Sequence, residues 1–246
     1  MLRGSRPRHT GSARPERRTR DPAARRRAHV RRVVRFAATL IARVDHLVYA
    51  TPDVDDTVED LATRLGVRAA AGGRHEGRGT RNALIALGPR SYLEIIGPDS
   101  SQPTPSRPRW FGIDELNRPR LATWAANATD LHALAAPGSK AAALLGAVVS
   151  GSRTRPDGVI LRWTLTDPIM APGGIVPFLI DWGSSPHPAA SAPQGVTLVD
   201  LRAEHPNPAA VLTAFRMLAL DLAVAPSAAP ALVAILNTPA GDVELR

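Results

Sequence analysis

Two side chains that could do chemistry, the imidazole of His46 and the carboxylate of Glu94, each lie in a short apolar stretch of the sequence. A neutral imidazole nitrogen is a good ligand for a divalent ion. A carboxylate among apolar neighbours is costly to bury unless a cation or hydrogen-bond donors pair with it. We therefore expect Glu94 to face a pocket. For His46 two alternatives stay open, a metal ligand or a core histidine with satisfied hydrogen bonds.

The segment around His46 predicts a strand followed by a helix. Arg43–Ala50 is short and rich in β-branched and aromatic residues, and it ends before Pro52, which cannot extend a β-ladder. Asp53 is a suitable N-cap and Gly66 a suitable C-terminal residue for the helix between them. The apolar stripe of that helix consists of Val54, Val58, Leu61 and Leu65.

The segment around Glu94 predicts a hairpin. Residues 82–87 and 91–96 are apolar runs that flank the turn Gly88-Pro89. Alternate residues of a strand share one face of a sheet. If the face that carries His46 and the face that carries Glu94 line the same concavity, the two side chains can meet.

The sequence after residue 120 repeats this order of elements, which is typical of a duplicated unit. The predicted elements are a strand at 121–126, a helix at 130–136 and strands at 158–166 and 176–182. Asp181 lies near the position that matches Glu94 but is displaced by about one residue, which turns a side chain to the opposite face unless a bulge restores it. Arg162 either faces solvent or meets an acid or an anionic ligand, because an unpaired buried guanidinium is costly.

Two other histidines have different expected positions, one near a possible ligand and one at the surface. His75 lies in the glycine-rich segment 72–82, whose glycines permit a ligand to approach the backbone closely. The alternative for this segment is a flexible surface loop with solvated arginines. His187 lies between two prolines in a loop, so we expect it at the surface.

Composition excludes some classes of function. The sequence has no cysteine, so it has neither a disulfide framework nor a thiolate site. Its net charge is +9, but residues 1–42 contain 13 arginines and 2 acids, so the rest of the chain has a net charge of −2. The body of the chain is therefore not a basic, nucleic-acid-binding protein by composition.

Residues 1–42 contain almost nothing to bury, so we expect a disordered tail. One interpretation is an arm for phosphate backbones or anionic lipid; the favoured one is a tail without a role, or translated sequence upstream of the true start. No aromatic residue separates the arginines before Phe36, so base stacking has no support. No segment approaches the ~20 apolar residues of a membrane span. A twin-arginine signal is rejected because its apolar run is barely at the lower limit of length and leads straight into a strand without a clear cleavage site. We expect a cytoplasmic protein that makes no membrane contact.

Several short motifs carry a family pattern. They are Val44–Asp53 (VDHLVYATPD), Leu65–Val67, Gly73–His75, Gly79-Thr80 with Asn82, and Tyr92–Ile96. In these motifs the chain resembles the glyoxalase-like domain of the vicinal oxygen chelate superfamily. The resemblance implies an α+β fold in which paired βαβββ modules form a curved mixed sheet. It further implies that the cup of this sheet holds a divalent metal ion, to which substrates bind through neighbouring oxygens.

Applied to this chain, the resemblance implies a first βαβββ module at 43–98, a linker at 99–119 and a second module at 120–190. A C-terminal β-α-β-β unit at 191–246 extends or covers the sheet, and 1–42 is the tail.

The resemblance also implies roles for particular residues. The metal ligands would be His46, Glu94 and Asp181, with His75 as another candidate for the third position. Glu94 and His75 would be catalytic. From the residues themselves, the candidates for substrate binding are Arg81, Asn82 and Arg162. The chain departs from the pattern at position 81, where a histidine is expected, and the arginine there could bind an anionic group with two hydrogen bonds. The second module also has no histidine in its first strand.

The leading hypothesis is a glyoxalase-like protein that binds a small carbonyl, hydroxy-acid or enediol compound, through a divalent ion that could be manganese, iron, zinc or nickel. If it is an enzyme, the resemblance implies a metal-dependent lyase, isomerase or dioxygenase. The alternative is a metal-free module that binds or sequesters a small apolar or anionic ligand. Nucleic-acid binding through the tail is a third and weaker hypothesis, and pairing into a homodimer stays open.

Overall fold

A computed structural model describes Met1, residues 43–168 and residues 174–246. The predicted tail at 1–42 lies outside the described residues, apart from Met1. In the described ranges no helix is long and apolar enough to cross a membrane.

The described residues form an eight-stranded barrel and a separate four-stranded sheet, with short helices between the strands. The barrel strands are β1 (Val44–Ala50), β2 (Ala70–His75), β3 (Thr80–Gly88), β4 (Ser91–Pro98), β5 (Arg120–Asn127), β6 (Val148–Thr154), β7 (Ile160–Thr166) and β8 (Phe178–Asp181). The strands of the second sheet are β9 (Thr197–His205), β10 (Ala223–Pro226), β11 (Ala231–Thr238) and β12 (Gly241–Leu245). The helices are α1 (Val54–Leu65), α2 (Leu131–Ala135) and α3 (Pro208–Met217).

The barrel contains two copies of one unit. Its strand order is β1-β4-β3-β2-β6-β7-β8-β5. In the first half β1 pairs in parallel with β4, and in the second half β5 pairs in parallel with β8. The halves join where β1 runs antiparallel to β5 and where β2 meets β6 through the single pair Arg74 and Thr154. The predicted α+β fold of paired βαβββ modules is confirmed, with the sheet closed into a barrel.

Helix α1 has the N-cap and the C-terminal glycine that its sequence predicts. The side chain of Asp53 accepts hydrogen bonds from the backbone N–H groups of Asp55 and Asp56, and Gly66 ends the helix in the left-handed conformation. Its buried face packs on the outside of the barrel, where it shares one hydrophobic cluster with β9, β11 and α3. This outer layer covers the outward-facing side of the first half of the barrel.

A second hydrophobic cluster lies inside the barrel. Strand alternation divides the two clusters, because Leu47, Leu93 and Ile95 point outward while Val48, Tyr92 and Ile96 point inward. The inner cluster does not fill the whole barrel, and the space that it leaves is the cup described next.

Candidate functional site

The cup is a hollow inside the barrel with about 400 Å³ of empty space, counted with its open mouth. Most of its wall is apolar, and six of its fourteen lining residues are aromatic. The aromatic lining residues are Tyr92, Trp110, Phe111, Trp163, Phe178 and Trp182. Four polar side chains also reach it, namely His46, His75, Glu94 and Arg153. Both halves of the barrel therefore contribute to one site.

Strands β1 and β4 bring His46 and Glu94 together. The two strands are parallel neighbours, with His46 opposite Tyr92 and Val48 opposite Glu94. The ring of His46 stacks on Tyr92 with centroids 4.6 Å apart. The Nε2 atom of His46 lies 3.8 Å from Oε2 of Glu94, and both side chains are buried. This distance is too long for a hydrogen bond but leaves the two groups facing each other.

His75 reaches the other oxygen of Glu94. It ends β2, and the turn that follows contains Gly77 and Gly79 with positive φ angles, which glycine adopts without strain. Its Nε2 atom lies 3.8 Å from Oε1 of Glu94, and its Nδ1 atom lies 3.0 Å from the hydroxyl of Thr80. His75 is only 7% exposed, so it is not part of a solvated surface loop.

Burial determines the charge of His75. It lowers the pKa of the ring to about 4, because the charged imidazolium would lose its hydration inside the barrel. Glu94 opposes this shift, while the guanidinium of Arg153 adds to it. His75 is therefore neutral near pH 7.

Asp45 is a residue of this site that no sequence pattern indicated. Adjacent residues of a regular strand point to opposite faces, but the pairing of β1 with β5 shifts register between Val44 and His46. This bulge allows Oδ1 of Asp45 to lie 2.8 Å from Nδ1 of His46. The carboxylate of Asp45 is completely buried.

Two further donors satisfy Asp45. The indole N–H of Trp182 lies 3.1 Å from Oδ2, and Nε2 of His187 lies 3.2 Å from the same oxygen. The backbone N–H of Ala189 donates to Nδ1 of His187, so Nε2 carries the proton that His187 donates to Asp45. Contrary to the expected surface position, His187 is buried, because its ring completes the shell of donors around this carboxylate.

These contacts fix the charge of Asp45 and the tautomer of His46. Burial alone would raise the pKa of Asp45, but the hydrogen bonds of His187 and His46 outweigh it and lower the pKa to about 2. A charged carboxylate only accepts hydrogen bonds, so the neutral form of His46 has its proton on Nδ1. The Nε2 atom that faces Glu94 then carries the lone pair.

Asn82 orients Glu94. It lies on β3, which pairs with β4, and its Nδ2 atom donates to Oε1 of Glu94 at 2.5 Å. This bond fixes the rotation of the carboxylate and leaves Oε2 directed toward His46. Among the residues that the structure describes, Oδ1 of Asn82 has no hydrogen-bond partner.

The structure places Arg81, Arg162 and Asp181 away from the cup. Arg81 forms two hydrogen bonds, of 2.9 and 2.8 Å, with the exposed carboxylate of Asp55. Arg162 and Asp181 lie outside the barrel and line a different, open hollow. Asp181 accepts a hydrogen bond from the backbone N–H of Gly183. Asp181 points away from the cup because strand alternation directs its neighbour Ile180 into the cup and no bulge reverses this.

The donors in the cup do not fit a metal site as they stand. Within 43–168 and 174–246, no group of three or more His, Asp or Glu side chains is arranged to hold a metal ion. His46 and His75 approach different oxygens of Glu94, and Asp181 is not near them. The ligand set His46, Glu94 and Asp181 is therefore not assembled around one point. The arrangement can instead bind a small molecule and exchange a proton with it.

A sequence profile described as "Glyoxalase-like domain" matches residues 44–219. A search of curated proteins finds no match. Among solved structures, a hypothetical protein from Staphylococcus aureus is 12% identical with a TM-score of 0.54, over 76% of this chain and 87% of that chain.

Methylmalonyl-CoA epimerases also match. The enzyme from Mycobacterium tuberculosis is 20% identical over 58% of this chain and 90% of that chain, with a TM-score of 0.39. The Streptomyces coelicolor enzyme, in complex with 2-nitronate-propionyl-CoA, is 21% identical over 58% of this chain and 96% of that chain, with a TM-score of 0.40. Because the profile matches most of the sequence, and the barrel of paired modules agrees with it, this chain belongs to the glyoxalase-like domain family.

Proposed function

We propose that this protein is an enzyme that moves a proton at a carbon atom next to a carbonyl group of a small, oxygen-bearing compound. In this proposal Glu94 is the base. The observation that carries it is the position of the Glu94 carboxylate, which lies in the cup between the Nε2 atoms of His46 and His75, 3.8 Å from each.

Glu94 has the features that a general base needs. Its Oε1 atom is held by Asn82, so its Oε2 atom is the free acceptor. It lies in a mostly apolar cup, where few water molecules compete for the proton. A carboxylate placed in this way takes the proton from the carbon, and the electron pair of the C–H bond moves toward the carbonyl oxygen. A positioned base of this kind accelerates a reaction by ~10²–10⁴-fold.

The two histidines have different roles in this proposal. His46 presents a lone pair on Nε2, since Asp45 holds the proton on Nδ1, so His46 can take the proton onward from Glu94. The hydroxyl of Thr80 can donate to Nδ1 of His75, which leaves Nε2 of His75 protonated. A neutral imidazole N–H can then stabilise the negative charge that develops on the carbonyl oxygen. Returning the proton to the opposite face of the same carbon would make the reaction an epimerisation.

The lining of the cup supports a small substrate. Because the ~400 Å³ of empty space includes open solvent at the mouth, the enclosed part of the cup is smaller than that. The aromatic wall favours a substrate with an apolar or planar part, and the polar residues of the first half favour a carbonyl or hydroxyl at the other part.

A second candidate function is binding without turnover. The observation that favours it is that, among the described residues, the second half adds to the cup only apolar and aromatic side chains and Arg153. A protein of this kind would hold a small apolar or anionic compound without changing it.

Hydrogen exchange in D₂O tests the proposed function. We would incubate the protein with pyruvate, 2-oxobutyrate or phenylpyruvate and follow the loss of the C–H signal beside the carbonyl by proton NMR. We expect wild type to accelerate exchange of at least one of these compounds. Glu94→Gln should reduce that acceleration by a factor of about 100 or more. The matched control is Glu59→Gln, which changes an exposed glutamate on α1.

The outcomes distinguish the two candidates. Equal exchange by wild type and Glu94→Gln would contradict the role of Glu94 as the base. Binding of these compounds to wild type without any accelerated exchange would favour the binding protein.

A further inference from the structure

Arg153 is a buried arginine in the wall of the cup, and the proposed reaction does not use it. It is only 3% exposed, and it is the one arginine in the described part of the chain that is buried. No sequence pattern indicates Arg153, because its strand, Val148–Thr154, contains serine and glycine.

Strand alternation directs Arg153 inward. In β6 the residues Ser150, Ser152 and Thr154 are exposed, while Gly151 and Arg153 belong to the inner face. Arg153 pairs across the ladder with Leu161, which is part of the inner cluster. The arginine side chain therefore extends into the barrel and not along its surface.

Among the residues that the structure describes, none forms a direct ion pair with Arg153. Its Nη1 atom donates to the backbone carbonyl of Gly72, which is the one hydrogen bond that its guanidinium makes to a described residue. The ion-pair partners of Glu94 are His46 and His75, so Arg153 and Glu94 do not form a direct ion pair. A guanidinium has five N–H donors, and leaving a buried charge unpaired is costly. Burial accordingly lowers the pKa of Arg153 below its usual value.

The bond to Gly72 explains only part of this arrangement. It ties β6 to β2 at the junction where the two halves of the barrel share a single residue pair. A neutral donor could make the same bond to a carbonyl. Glu94 in the same cup offsets part of the charge of Arg153 without forming a direct ion pair with it. The remaining N–H groups of the guanidinium are therefore available to an anionic group of a ligand in the cup.

We propose that Arg153 binds a carboxylate group of the ligand, so that the compound held in the cup is a small carboxylic acid with an apolar or aromatic body. This inference rests on the proposed function and names the substrate class of the same site. The planar fork of a guanidinium matches the two oxygens of a carboxylate. The aromatic wall, including Trp163 and Trp182, would cover the body of the acid.

The proposal also places the reacting carbon. A carboxylate held by Arg153 anchors one end of the ligand, while Glu94 and the two histidines lie elsewhere on the same wall. In a 2-oxo acid the carbonyl is attached to the carboxylate, and the acidic C–H lies one bond further on. Such a molecule can meet Arg153 with its carboxylate and Glu94 with its C–H group.

The test is a binding titration that does not depend on catalysis. Three of the four tryptophans line the cup, so ligand binding should change the intrinsic fluorescence. We would titrate the protein with benzoate and with benzamide, which has nearly the same shape but no charge. Neither compound has an acidic C–H group. We expect wild type to bind benzoate more tightly than benzamide, by a factor of about 10 or more.

Variants assign that preference to Arg153. Arg153→Met should weaken benzoate binding by about 10- to 100-fold and leave benzamide binding nearly unchanged. Arg153→Lys, which keeps the charge but not the fork, should fall between Arg153→Met and wild type. The matched control, Arg155→Met, removes an arginine that pairs with Asp157 outside the cup and should bind benzoate like wild type.

Some outcomes would overturn the inference. One is equal binding of benzoate and benzamide by wild type, a measurement that needs no variant to fold. Another is an Arg153→Met protein that is less stable in urea yet binds benzoate as tightly as wild type, which would make Arg153 a purely structural tie. Benzoate has no C–H group that can exchange, so the titration measures carboxylate binding independently of the exchange assay, and a failed exchange assay and a failed binding assay are distinguishable.

Discussion

The Nδ1 atom of His46 lies 2.8 Å from Oδ1 of Asp45, although the two residues are neighbours in one strand. A bulge in the pairing of β1 with β5 makes this contact possible. Because Asp45 is charged and buried, it holds the proton of His46 on Nδ1 and directs the lone pair on Nε2 toward Glu94. The chemistry of the cup thus depends on a carboxylate that does not line it.

Replacing Asp45 by asparagine should affect both stability and exchange. The depressed pKa of Asp45, about 2 compared with an ordinary value of 3.8, corresponds to about 2 kcal/mol of stability at pH 7. That stability is present above pH 3.8 and is lost as the pH falls toward 2. We expect Asp45→Asn to lose about 2 kcal/mol in urea unfolding at pH 7 and to slow hydrogen exchange, because His46 can adopt the other tautomer.

The control for this variant is Asp55→Asn, at an exposed carboxylate that pairs with Arg81. It should cost less than about 1 kcal/mol, as is usual for surface ion pairs. Equal losses for the two variants would contradict the structural role assigned to Asp45.

The buried neutral state of His75 predicts a dependence of stability on pH. The pKa in the folded protein is about 4 and the ordinary value is 6.5, so between these values the unfolded chain binds more protons than the folded one. The free energy of unfolding should therefore fall as the pH is lowered from 6.5 to 4, by up to about 3 kcal/mol. Urea unfolding at several pH values measures this slope.

A histidine substitution tests the origin of that slope. His75→Gln should reduce the loss of stability between pH 6.5 and 4, while His132→Gln, at an exposed position on α2, should not. A slope that is unchanged in His75→Gln would show that other groups cause it.

Asn82 should matter for the exchange rate as well as for stability. Removing its bond to Oε1 of Glu94 allows the carboxylate to rotate, and hydrogen bonds to charged groups contribute ~1.5–3 kcal/mol. We expect Asn82→Ala to lower the exchange rate by about 10-fold or more. Asn237→Ala, which removes a similar but exposed bond to Asp242, should exchange at the wild-type rate. A normal rate in Asn82→Ala would mean that Glu94 does not need this orientation.

Gly151 makes room for Trp163, which lies opposite it on β7. A Cβ atom at position 151 would lie 2.5 Å from the indole ring. Gly151→Val should therefore displace the ring into the cup and destabilise the protein by about 1–3 kcal/mol. Ser152→Val, on the exposed face of the same strand, should change neither stability nor tryptophan fluorescence to this extent. Urea unfolding and fluorescence spectra measure both effects.

Much of the fold follows from local patterns in the sequence. The N-cap Asp53 and the C-terminal Gly66 bound α1 where the pattern predicts, and strand alternation puts His46 and Glu94 on one inner face. The repeat of elements predicts the second half of the barrel. The closure of the sheet depends on how β1 meets β5 and β2 meets β6, which no local pattern reports.

The rest of the site depends on irregularities and long-range contacts. The bulge at Asp45 breaks the alternation on which the reasoning relies, so its contact with His46 could not be predicted. His187 lies in a loop between prolines, and only its distant contact with Asp45 buries it. Arg153 is on a strand with weak β-propensity, which forms because its neighbours hold it.

The central claim is that Glu94 acts as the base of a proton transfer that does not need a metal ion. The most direct measurement is the rate of deuterium uptake by phenylpyruvate, pyruvate and 2-oxobutyrate in D₂O, for wild type and Glu94→Gln, each with and without EDTA. Our account predicts accelerated uptake by wild type that EDTA does not change and that Glu94→Gln loses by about 100-fold or more. Wild-type uptake that EDTA abolishes, or a Glu94→Gln protein as active as wild type, would contradict it.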